Sequence, residues 1–284
     1  MRSYERWIQF ILFVCAITAV LTVLVIAFFI FKEGLPVMLE KGVLSFVANS
    51  HWAPLSGSFG IRNMIIGSIQ VTLGAIILGV PIGLACAVYL AEIAGKRLSK
   101  TIRSGIELLA GIPSVVYGFF GLSVLVPFLR AHFTGNGFSV LAGSIILAIM
   151  ILPTVVSISE TSIRSVPKEY KSGSLALGAS HWQTIYRVII PAARSGIVAS
   201  VILGMGRAIG ETMAVIMVTG NVTTMAKSVF DPVRTLTGNI AIEMGYAAGD
   251  HRSALFATGV VLFVFIMILN LMATYFSRKV GEIK

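Results

Sequence analysis

Charge is scarce in this chain of 284 residues: Asp, Glu, Lys and Arg together make up 12%. A soluble domain carries about twice that share, roughly 25%. The shortage argues against a water-soluble globular fold. Cysteine is scarcer still. Cys15 and Cys86 both fall in apolar runs, so neither a disulfide framework nor a metal site is expected. The four histidines, His51, His132, His181 and His251, are scattered through segments read as loops. The chain has no HExxH, CxxC or Walker A pattern. It also lacks a Ser/His dyad, an aspartate pair or a metal cluster inside an apolar run, which disfavours an intramembrane enzyme.

Hydrophobic residues, at 56%, fill what charge leaves vacant. Six runs reach membrane-spanning length, at about 8–31, 64–91, 107–129, 139–160, 195–218 and 253–277. The expected fold class is an all-α membrane protein with six transmembrane helices in a single domain, residues 1–284. Arg2 and Arg6 precede the first run, which is longer than a signal-peptide core. It ends on Lys32-Glu33-Gly34 without a small-residue cleavage pattern, so it is read as a retained helix. Gly111 and Pro113 in the third run, and Pro153 in the fourth, mark expected breaks or hinges. The segment 32–63, rich in aromatics and turn residues, reads as an outer loop.

The net charge of +10 follows a topological rule and does not call for nucleic acid. With both termini cytoplasmic, the inner segments hold Arg2, Arg6, Lys96, Arg97, Lys100, Arg103, Arg164, Lys168, Lys171, Arg187, Arg194, Arg278, Lys279 and Lys284. Half as many cations fall outside: Lys32, Lys41, Arg62, Arg130, Lys227, Arg234 and Arg252. Glu92, Glu107 and Glu160 sit at expected inner helix ends and read as solvated or capping residues.

Arg207 belongs to neither side. It lies in LGMGRAIGETMAV (203–215), inside the fifth run, about 18 Å along a helix counted from Ser195. A charge at that depth costs on the order of 2.5–3.5 kcal/mol on insertion scales. Glu211, four residues on, would share its helix face and pair with it. Gly206, Gly210 and Ala214 recur every fourth residue, a pattern that lets another helix approach closely. Two readings are open: a structural ion pair locking two helices, or a polar site on a transport path. An arginine fork suits a phosphate or carboxylate ligand. Thr72, Ser114 and Thr154 are secondary candidates for lining such a path. Asp231 to Glu243 reads as an outer segment with a short helix.

A second segment, EYKSGSLALGASHWQTIYRVIIPAARSG (169–196), reads as a short apolar helix ending near Gly178 and an amphipathic helix from about His181 to Ile190. Pro191 is expected to end the latter. An ordinary amphipathic surface helix has the same periodicity. The spacing of Gly178 from Val188-x-Ile190-Pro191, however, resembles the EAA loop of bacterial ABC importer permeases. The family's Glu-Ala-Ala positions hold Ser172-Gly173-Ser174 here, so its acidic residue is absent. With GSIQVTLGAIILGVPIGLACAVYLAE (67–92), LLAGIPSVVYGFFGL (108–122), ILPTVVSISETSIRSVPKEY (151–170) and GRAIGETMAV (206–215), the chain resembles the phosphate ABC importer permeases of the PstC type.

That resemblance implies a type I ABC importer permease fold in a bacterial inner membrane. It implies a paralogous second permease (PstA type), an ATPase dimer (PstB type) that binds ATP and Mg, and an external phosphate-binding protein (PstS type). No catalytic site, metal or cofactor is expected in this chain. Residues 164–194 become the ATPase-coupling region, with Ser172, Gly173, Ser174, Ala176, Gly178 and Pro191 in it. Arg207 and Glu211 match the polar pair of the family's fifth span, with a role in phosphate passage. A sulfate or molybdate permease stays open, as do the PstA-type paralogue and a passive channel or secondary anion transporter.

Overall fold

The computed structural model describes residues 2–281; Lys284, counted above among the inner cations, lies outside them. Its elements are α1 (Arg2–Lys41), α2 (Val43–Ala48), a two-stranded antiparallel ribbon of β1 (Trp52–Ala53) and β2 (Ser58–Phe59), α3 (Arg62–Val88), α4 (Lys96–Gly111), α5 (Ser114–Phe120), α6 (Val126–His132), α7 (Val140–Arg164), α8 (Lys168–Ala176), α9 (His181–Thr184), α10 (Ile190–Ala192), α11 (Arg194–Gly210), α12 (Met213–Val218), α13 (Leu236–Glu243) and α14 (Asp250–Gly281). Among the described residues five helical runs are long and apolar enough to cross a membrane. A bent pair, His181–Ala192 with Arg194–Gly210, makes a sixth at an angle of 68°.

The centre of the bundle is the parallel pair α3 and α7, in contact from Gly74 and Ser144 to Gly83 and Val155. Val71, Ala75, Gly79, Gly83 and Ala87 form a buried i, i+4 ridge of small residues on α3. A Cβ at Gly79 would stand 3.0 Å from the Ile151 side chain, and one at Gly83 2.8 Å from Val155. Small side chains let the two backbones approach, which supplies dispersion contacts that lipid would not. At its outer end α3 also seats the chain around 233–236. Ser68 Oγ accepts the Leu236 amide at 3.0 Å, and a Cβ at Gly67 would meet Arg234 O at 2.8 Å. Gly67→Ala is therefore expected to cost about 1–3 kcal/mol by overpacking, read as a lower thermal midpoint in detergent.

The structure corrects several expected boundaries. Helix α1 continues past residue 31 to Lys41, through Pro36. Val37 and Met38 are buried, and a Cβ at Gly34 would lie 2.6 Å from the Ala257 nitrogen on α14, so tertiary packing holds the helix together beyond its apolar run. Nearer the N-terminus, the apolar window of α1 is not buried by any of the described residues. The third span begins at Ser114, since residues 107–111 belong to α4. Ile112 is extended (φ −72°, ψ 127°), as the residue before Pro113 prefers. The expected break at Pro153 is absent, because α7 runs unbroken through it with Pro153 buried.

Pro191 does not end its helix either. Ile190 N–H donates to Ile185 O, five residues back, and Val126 N–H likewise donates to Gly121 O. These wide turns surround the carbonyls of Arg187 and Ser123, with which the rings of Pro191 and Pro127 would clash in a regular α-helix. The actual bend comes two residues later, at Ala193.

Candidate functional site

The fifth span is broken where a continuous helix was expected. Glu211 is extended (φ −70°, ψ 130°) and ends α11, and α12 starts at Met213. Backbone freed at membrane depth must find partners inside the protein. Glu211 supplies one: its Oε1 accepts the Ala214 amide at 3.1 Å, capping α12. Thr237 Oγ1, from the start of α13, donates to Glu211 O at 3.0 Å. Ser68, Thr72, Thr235 and Thr237 line a small space beside Glu211 of about 10 Å³, roughly one water in size.

The break separates the two charges that helical spacing would have paired. Glu211 is half-buried, whereas Arg207 is exposed. Among the described residues no carboxylate pairs with Arg207. The glycine ridge is corrected too. Gly206 and Gly210 have open space where a Cβ would be, while Ser200, Gly204 and Ala208 form the buried row. That row packs on α7: Ser200 and Ser159 hydroxyls meet at 2.8 Å, and a Cβ at Gly204 would lie 3.3 Å from Val155. Leu203, Arg207 and Gly210 therefore form a face that none of the described residues covers.

A second break lies beside the first. Helix α5 packs on α12, with a Cβ at Gly118 only 2.9 Å from the Ala214 Cα. Across Ile112-Pro113, Tyr117 Oη donates to Leu109 O at 2.7 Å, tying α5 back to α4. Arg207 lies one helical turn before the Glu211 break. The structure brings Thr72 to Glu211 and not to Arg207. Ser114 starts α5, half-buried, and Thr154 is half-buried on α7.

On the inner side, α8 carries Ser172, Gly173, Ser174 and Ala176 and ends before Gly178, whose φ of 84° suits glycine. Ser180 then caps α9 reciprocally with Gln183, and Ser174 Oγ meets Thr184 Oγ1 at 3.0 Å. Ser172, Gly173, Ala176, Leu177, Trp182, Tyr186 and Pro191 are exposed, an uncovered apolar surface on two short helices. This surface is tied to the membrane bundle by charge. Lys171 Nζ donates to Glu92 Oε2 at 2.6 Å, joining α8 to the inner end of α3. Glu160, 3% exposed, accepts from Arg103 Nη2 at 2.5 Å and Arg164 Nε at 2.8 Å. Arg164 also donates to Leu90 O at 2.6 Å. Of the three inner glutamates read as solvated, only Glu107 is exposed. The i, i+4 pair Glu160–Arg164 was visible in the sequence; the distant partners Arg103 and Lys171 carried no local signal.

The outer side holds another network that sequence reasoning missed. Glu243, at the end of α13, is buried. It accepts from Arg234 Nη1 at 2.5 Å and Trp52 Nε1 at 2.9 Å, and His251 Nε2 lies 2.7 Å away. Glu243 thus joins the ribbon, the 219–235 loop and α14, and does not point outward.

A six-span bundle with an uncovered charged face at membrane depth and an exposed helix pair on its inner loop is the architecture of a type I ABC importer permease. One chain of the bacterial alginate ABC transporter, solved in complex with an alginate pentasaccharide-bound periplasmic protein, matches the fold with a TM-score of 0.61. The two are 17% identical, and the match covers 94% of this chain and 95% of that one. Residues 79–282 match the model of the family described as binding-protein-dependent transport system inner membrane component, and the chain belongs to that family. It is 41% identical to the probable ABC transporter permease protein YqgH of Bacillus subtilis (strain 168), over 93% of this chain and 88% of that protein. It is 37% identical to the phosphate transport system permease protein PstC of Mesorhizobium japonicum, over 83% of this chain and 79% of that one. The chain is a multi-pass membrane protein and a permease subunit, not itself an enzyme.

Proposed function

We propose that this chain is the transmembrane subunit of an ATP-driven importer that carries inorganic phosphate into the cytoplasm by alternating access. The observation that carries the reading is Arg207: an exposed guanidinium at membrane depth, one turn before a helix break. Lipid cannot be its neighbour at the cost given above. A second permease of the PstA type, covering the Leu203–Gly210 face, would leave it lining a polar path between subunits. The likeness to PstC of Mesorhizobium japonicum supports phosphate as the anion.

The inner helix pair would seat on an ATPase subunit of the PstB type, which binds ATP and Mg. The outer loops would receive a phosphate-binding protein of the PstS type. Ser172 stands where the family's acidic residue would be, so docking rests on shape and apolar contact. The Lys171–Glu92 pair then gives α8 a rigid link to α3. Lys171→Met is expected to lower uptake several-fold while the complex still assembles, and exchanging the two charges (Lys171→Glu with Glu92→Lys) should restore much of it.

The deciding experiment is labelled phosphate uptake by the reconstituted complex, with sulfate and molybdate as competitors. Unlabelled phosphate should compete, the other two should not, and flux should stop without ATP. Equal competition by sulfate or molybdate overturns the choice of anion. ATP-independent flux through this chain alone overturns the importer.

A further inference from the structure

Helix α4 is charged against its own dipole. Its first turn contains Lys96 and Arg97, has no acidic residue, and receives no side-chain cap from Gly95. A helix start presents unsatisfied amides and partial positive charge, and favours anions. The sequence here adds cations instead. Next to that turn lies an open cavity of about 340 Å³ lined by Ala94, Lys96, Ser99, Lys100, Arg103 and Arg164. Four of the six lining residues are cationic and none is acidic.

The basic excess is only partly neutralised. Glu160, behind the cavity wall, accepts from both Arg103 and Arg164, and Arg164 also donates to Leu90 O and Ser99 Oγ. These bonds hold the two guanidinium groups in place while about half of each side chain remains exposed. Among the described residues no carboxylate pairs with Lys96 or Lys100. Inner-surface lysines are ordinarily scattered and hydrated. Here they converge with two fixed arginine forks around one concavity.

We propose that this cavity is an anion site for a tetrahedral phosphate group, separate from the Arg207 pathway. Fixed arginine forks and mobile lysine ammoniums are the donors such a group takes. Two sources share this chemistry. One is inorganic phosphate on the inner side. The other is an anionic lipid headgroup, brought within reach because Leu98, in the first turn of α4, is an exposed apolar side chain.

The test uses the assembled transporter, permease pair with ATPase dimer, in bilayer discs. One arm measures binding of radiolabelled inorganic phosphate in phosphatidylcholine discs. The other counts phosphatidylglycerol retained by the complex in native mass spectrometry, from discs containing that lipid. Lys96→Gln with Lys100→Gln removes two donors without touching the Glu160 network. At least one probe should bind about tenfold more weakly to this variant, a loss of about 1.4 kcal/mol. Binding should return with Lys96→Arg and Lys100→Arg. A loss in the phosphate arm assigns the site to the free anion, and a loss in the lipid arm to the headgroup. Equal binding of both probes to the parent and the intact Gln variant overturns the site.

Discussion

Arg207→Gln should reduce phosphate uptake by about 10- to 150-fold, since a charged hydrogen-bond donor to an anion contributes about 1.5–3 kcal/mol. The complex should still assemble, because among the described residues no carboxylate depends on this guanidinium. Uptake by the reconstituted complex, with subunit stoichiometry as control, separates the two effects. Arg207→Lys keeps the charge and loses the fork, and should retain part of the activity. Wild-type uptake by Arg207→Gln would remove the arginine from the pathway. Glu211 behaves differently. Glu211→Gln keeps a side-chain oxygen for the Ala214 amide and should transport well, whereas Glu211→Ala loses the cap, at about 0.5–2 kcal/mol.

Glu243→Ala should be the most destabilising single change on the outer side. The carboxylate is buried, and its loss strands the Arg234 charge, itself mostly buried, along with the Trp52 indole N–H. Breaking a buried pair in this way costs about 3–5 kcal/mol. The readout is the thermal midpoint of the solubilised complex, with Trp52→Phe as a milder control that removes one donor only. A midpoint within error of the parent would mean the network is dispensable. Because the ribbon and α14 meet at Glu243, the loss should also loosen the outer surface where a binding protein would dock.

How much of this was legible in the sequence depends on the range of the interaction. Spans two, four and six were readable to within a few residues because lipid imposes a long uninterrupted apolar run. The Ile112-Pro113 break was readable because proline constrains its neighbour locally. The break at Glu211 was not. No proline marks it; Gly210 stands just before it, but the extended turn is held by Thr237, 26 residues away in sequence. Helical periodicity therefore assigned Arg207 and Glu211 to one face when the chain turns between them. The glycine ridge failed for the same reason. Gly204 and Gly206 look alike in sequence, and only the position of α7 decides which is covered. Charges at helix ends were read as solvated because solvation is the default. Glu160 and Glu92 find partners on other helices that spacing cannot reveal.

The wide turns at Gly121–Leu125 and Ile185–Ile189 bear on how this family can change over evolutionary time. Each accommodates one residue more than a regular helix would, immediately before a proline. A residue deleted there converts the wide turn to an ordinary one with little change of register beyond it, but it sets the proline ring against a helical carbonyl of the preceding turn. Single-residue gaps in relatives should thus fall at these turns only when the proline is lost with them. Where Pro127 or Pro191 stays, the length of its helix is locked.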